Sequence, residues 1–77
     1  MSSDIVVIAI TSQTQKVLNV GECHIQDWQS AGLFKQSTIK PALATIEQNL
    51  VIKKLGKLSN PDLNSLKISL RLLFELE

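Results

Sequence analysis

A chain of 77 residues with a net charge of +1 is one domain at most, and one this short buries only about 60% of the surface its unfolded form exposes. Its single cysteine, Cys23, excludes an internal disulfide, and no Cys/His set has metal-ligand spacing, so neither a staple nor a metal is expected to add stability. The longest apolar run, Ile5 to Ile10, falls far short of the roughly 20 residues that cross a bilayer. With a lone free thiol and no signal-peptide pattern, the expectation is a cytoplasmic protein without a membrane segment.

Residues 4–10 are a continuous β-branched run, which predicts a central strand buried on both faces. Small polar residues follow from Thr11 to Gln15, so Thr11 stands where the strand gives out. Lys16 to Val20 is a second strand candidate, closed by Gly21 and Glu22. From Ile25 to Gly32 the spacing of Ile25, Trp28 and Ala31 predicts about two turns of helix, with Gly32 at the left-handed C-terminal position. Trp28 either packs that helix on the sheet or offers a stacking platform for a base.

Residues 37–46 and 50–57 are the next strand candidates, joined by Glu47, Gln48 and Asn49 as a hairpin connection. Pro41 cannot donate to a ladder, so its strand must lie at an edge or bulge there, and Gly56 suggests a bulge or a close backbone approach. The last element is a helix over 59–76. Ser59 is its N-cap, Pro61 falls in the first turn, and Asp62 is the acid favoured near a helix start. At about 100° per residue, Leu63, Leu66, Leu70, Leu73 and Phe74 form one stripe, and Ile68, Leu72 and Leu76 a second on the opposite side. Only the first is needed to pack the helix on its own sheet. The second predicts an oligomer or partner surface.

The usual catalytic constellations are absent. His24, the only histidine, has no nucleophile or second ligand in a recognisable pattern and reads as a local residue beside Cys23. There is no phosphate-binding glycine loop and no zinc pattern, and no metal or cofactor is expected. Charge is uneven: Lys35, Lys40, Lys53, Lys54 and Lys57 oppose Glu47 alone between residues 35 and 57. Such a stretch can meet a phosphate backbone, or simply solvate strand faces and blunt sheet edges.

Three phrases in fixed order carry more specific information. They are Ile8-Ala9-Ile10-Thr11-Ser12-Gln13, then Asp27-Trp28-Gln29-Ser30-Ala31-Gly32-Leu33, then Leu43-Ala44-Thr45-Ile46 followed by the run Leu50 to Leu58. Together they resemble the C-terminal two thirds of a PemK/MazF-type toxin, the metal-independent endoribonuclease half of a type II toxin–antitoxin pair. The family's opening hairpin, with its Arg-Pro strand, has no counterpart, so the resemblance implies an N-terminally truncated domain spanning 1–77.

Fold and partners follow from the resemblance as expectations: an α+β fold, a partial SH3-like barrel of short antiparallel strands with a short helix and a long C-terminal helix. RNA and a cognate antitoxin are the implied partners, with a homodimer the expected assembly. Thr11 matches the catalytic threonine, Ser12 and Gln13 flanking it are expected RNA-binding residues, and Lys40 before Pro41 stands where an RNA phosphate would be contacted. Arg71, the only arginine, lies in the C-terminal helix and does not replace the family's catalytic arginine. A guanidinium offers a fixed fork of donors that neither Thr11 nor Lys40 supplies. The expectation is a chain inactive by itself, or a catalytically dead interaction module that retains a dimer or antitoxin-binding surface.

Overall fold

The computed structural model describes residues 3–13 and 17–75. They form a small α+β unit of three strands, β1 (Asp4–Thr11), β2 (Cys23–Ile25) and β3 (Ser37–Glu47), a single 3-10 turn at Gln48–Leu50, and one helix, α1 (Asn60–Glu75). The strands make an antiparallel sheet in the order β1-β3-β2.

The central strand is therefore β3, not the apolar run of β1. With 11 residues, β3 is long enough to pair with β1 along one side and β2 along the other. The apolar run of β1 sits at an edge, where Val6 is 70% exposed and Ile10 is also open, while Ile8 packs on the core. Pro41 is accommodated by an irregularity: Ile8 pairs with Leu43 and Ile10 with Ile39, so one residue of β1 faces Lys40, Pro41 and Ala42. The missing Pro41 N–H is tolerated in a central strand because the ladder is interrupted there.

Residues 17–20 form no strand, and Lys16 lies outside the described residues. Turn chemistry prevails instead: the Glu22 N–H donates to the Asn19 carbonyl (3.0 Å), the Glu22 carboxylate accepts the Asn19 N–H (2.8 Å), and Gly21 takes φ +86°. That positive φ at the third position of a tight turn suits glycine.

The predicted helix over 25–32 is a single helical turn. Ala31 N–H donates to Asp27 O, Gly32 N–H to Gln29 O and Leu33 N–H to Trp28 O, the paired pattern that terminates a helix at a left-handed residue, here Gly32 at φ +85°. Ile25 itself belongs to β2.

The predicted strand over 50–57 is not one either. Residues 51–59 join no ladder, because β1 and β2 already occupy both sides of β3, and Ile52 is fully exposed. The segment crosses the helical turn at two glycines: a Cβ on Gly32 would lie 2.2 Å from Leu55 O, and one on Gly56 2.5 Å from Ala31 O. The close approach anticipated at Gly56 is what the fold uses.

Helix α1 starts as its sequence predicts, with the Asp62 N–H donating to Ser59 Oγ at 3.3 Å and the Leu63 N–H to Ser59 O at 2.8 Å. Leu76 lies outside the described residues. The inward stripe is rotated from the one predicted: Asp62 and Ser69 are buried, Leu66, Leu70 and Leu73 half-buried, while Leu63 and Phe74 are exposed. Ile68 and Leu72 are each about half exposed, on the flank expected to face outward. The core is Cys23, Ile25 and Ile39, surrounded by Ile8, Trp28, Leu33, Leu58 and Leu66. Among the described residues, no helix is long and apolar enough to cross a membrane.

Candidate functional site

Period-two alternation in β2 and β3 divides their side chains between two faces. Cys23, Ile25 and Ile39 point into the core, which leaves His24 and its partner Thr38 on the other face. Thr38 also pairs with Thr11 across the β1–β3 ladder. One row across the sheet is therefore Thr11, Thr38, His24. Two residues further along β3 comes Lys40, and two residues back from His24, in the turn before β2, comes Glu22; their ammonium and carboxylate form an ion pair.

Thr38 is only 3% exposed, and its hydroxyl meets His24 Nδ1 at 2.9 Å. This contact fixes the imidazole plane. The Glu22 carboxyl titrates below its usual range, first because Lys40 hydrogen-bonds it, next because the Asn19 amide does, with smaller electrostatic help from Lys40 and His24 that burial partly opposes. Thr11 Oγ1 accepts the Gln13 N–H at 3.1 Å, a local turn contact that holds the chain as it leaves β1. Ser12 and Gln13 follow as exposed residues.

Of the residues singled out from sequence, Thr11 and Lys40 are thus brought to one face, and Lys40 is not a free cation there. Ile68 and Leu72 lie on α1, which packs against the core through Leu66 and takes no part in the polar row. The basic stretch is divided. Lys53, Lys54 and Lys57 border an apolar groove of about 460 Å³ on the core side, walled by Ile10, Ile25, Leu33, Val51 and Leu58. Trp28 packs against the core, which favours the packing role over the stacking one.

His24 and Glu22 are the members that sequence reasoning missed. The signal was present as two short alternations, Glu22-Cys23-His24-Ile25 and Ser37-Thr38-Ile39-Lys40, each polar on one face and apolar on the other. A helix assigned from Ile25 onward concealed the first. Chemically, the row offers two hydroxyls, one imidazole, and a cation already shared with a carboxylate. It can hydrogen-bond an anion and move a proton; it lacks a fixed cationic fork.

The chain matches no known family model, and no curated protein matches it.

Proposed function

We propose that this chain is an RNA-contacting portion of a PemK/MazF-like toxin, with the polar face of the sheet as its RNA-facing surface. The observation that supports the reading is the position of Thr11: it closes β1 in register with Thr38, on the face that also carries His24 and Lys40. In-line attack of a ribose 2′-oxygen on phosphorus needs a proton acceptor for that hydroxyl, stabilisation of charge on the phosphoryl oxygens and a proton for the departing 5′-oxygen. Thr11 would hydrogen-bond the phosphate. The guanidinium that balances the developing charge is not supplied by these residues, since Arg71 belongs to α1.

Completion of the SH3-like barrel would come from strands added at the free edge of β1, and those strands would bring the arginine beside Thr11. A cognate antitoxin and a second copy of the chain are the partners of this reading. Removing a single pre-organised donor typically lowers a rate by about 10² to 10³, so the 77 residues alone should not cleave RNA measurably. Adding a family-type N-terminal hairpin, as a peptide or fused ahead of Met1, should produce metal-independent cleavage that Thr11→Ala abolishes. Tight hairpin binding without cleavage would remove Thr11 from its role, and cleavage by the unaided chain would show that the row suffices.

The second reading, an interaction module without catalysis, is favoured by the apolar residues Val6, Ile68 and Leu72, each of which leaves half or more of its surface open. Hairpin addition distinguishes the two, because an interaction module gains stability and no activity.

A further inference from the structure

His24 is unused by the reading above, yet it stands at the centre of the charge balance on the polar face. Lys40 and Glu22 are engaged with each other, and Thr11 and Thr38 carry no charge. With a neutral imidazole the row has no surplus charge; with an imidazolium it has one positive charge. We infer that this row is a phosphodiester-binding site in which His24 supplies the recognition charge, so that RNA binds the protonated imidazole and is released by the neutral one. The inference rests on the RNA reading proposed above and assigns a residue to it.

The geometry suits that role. Thr38 Oγ1 is 2.9 Å from Nδ1 and buried, so it fixes the ring and can accept from a protonated Nδ1 or donate to a bare one. The contact therefore survives titration. Among the described residues this is the ring's one hydrogen bond, which leaves Nε2 for a ligand, and His24 is half-buried, within reach of solvent.

The groups around the imidazole are Glu22 from the turn before β2 and Thr38 and Lys40 from β3, with Thr11 of β1 on the far side of Thr38. Helix α1 packs toward the core on the other side. Glu22 is engaged by Lys40 through an ion pair, so its charge is already balanced within the row. An incoming phosphate would compete with Glu22 for Lys40 and meet Nε2–H beside it. An imidazole is the side chain that ordinarily changes charge between about pH 5 and 8, and this chain has only one.

The test is fluorescence anisotropy of the 77-residue protein with a labelled single-stranded RNA at constant ionic strength, at about pH 5.5 and about pH 8. Binding should weaken severalfold at the higher pH. His24→Gln, shown by circular dichroism to keep the fold, should bind at the lower pH as weakly as the parent does at the higher. Because the terminal amine also titrates near neutral pH, the variant is the decisive arm. In parallel, the His24 ring proton resonances should shift on adding RNA, with their titration midpoint moving upward. Binding that is equal at both pH values, or a pH dependence that survives His24→Gln, overturns the inference and leaves the RNA reading standing. Binding abolished by neutralising Lys53, Lys54 and Lys57 but unmoved at His24 would place RNA on the groove side and overturn it as well. No binding at either pH overturns both.

Discussion

Asp62 is one of the most deeply buried side chains described. It is 1% exposed, and its two carboxylate oxygens accept the N–H groups of Gln26 and Asp27 at 2.8 Å each. One residue in the first turn of α1 thus also caps the helical turn at 26–32, tying two segments 35 positions apart in sequence. Hydrogen bonds to a charged group contribute about 1.5 to 3 kcal/mol each, and stranding buried donors costs more. Asp62→Ala should therefore destabilise the fold by about 3 kcal/mol or more in urea melts followed by circular dichroism. Asp62→Asn, which keeps one accepting oxygen, should recover part of that. A loss under about 1 kcal/mol for the alanine variant would mean that water replaces the carboxylate. On the polar face, Glu22, whose side chain is largely covered, gives a pH prediction of definite sign. Its folded pKa lies below the ordinary 4.5, so the stability it contributes is present above that value and disappears as pH falls through the folded pKa. Lys40→Met should lower the urea midpoint at pH 7 and converge with the parent near about pH 3; an equal gap at both pH values would assign the loss to packing of the lysine stem.

Elements whose information is local could be read from the chain, whereas those decided by competition for partners could not. The start of α1 at Ser59, the left-handed end at Gly32 and the interruption at Pro41 each depend on the backbone chemistry of one or two residues, and each is found. The centre of the sheet depends on which strand is long enough to hold two neighbours. No periodicity within β1 reports that, and its apolar run lies on an edge. The strand expected over 50–57 is absent for a related reason, since its apolar pattern suits a strand but no free side of β3 remains for it. The polar row was half legible: Thr11 and Lys40 could be picked by motif, while His24 and Glu22 needed the β2–β3 register to bring them alongside. The crossing of Gly32 and Gly56 is the element-scale feature most exposed to mutation. A methyl on Gly56 would press on the Ala31 carbonyl at 2.5 Å, a backbone atom that cannot swing away. Gly56→Ala should therefore release the 51–59 segment, seen as faster amide exchange at Gly32 and Leu33 and a lowered melting temperature, while an exposed control such as Ile52→Ala changes neither.

For the whole molecule the question is how so small a core holds together. Among the described residues only Cys23, Ile25, Ala31 and Ile39 are buried apolar side chains, and burying one Ile contributes about 1.5 to 3 kcal/mol. That is little against the ordering entropy of a chain of this length. Meanwhile Val6, Val17, Ile52, Ile68, Leu72 and Phe74 are each half exposed or more. A three-stranded sheet whose apolar edge strand carries no lysine, proline or bulge of its own invites pairing with another strand. On the far side, Ile68 and Leu72 lie one helical turn apart on a half-exposed face of α1. Covering them could contribute several kcal/mol before the costs of association are subtracted. The expected state is an oligomer at micromolar concentration, with α1 at its interface. Light scattering should give a mass above one chain, and Ile68→Glu with Leu72→Glu should yield monomers or unfolded protein by circular dichroism. Because the charged pair could disturb α1 itself, Ile68→Ala with Leu72→Ala serves as the milder comparison, shifting the association equilibrium while keeping helical signal. A parent protein that is folded and monomeric at that concentration would show that the exposed faces are simply tolerated, and that the small core with its Asp62 bridge is sufficient.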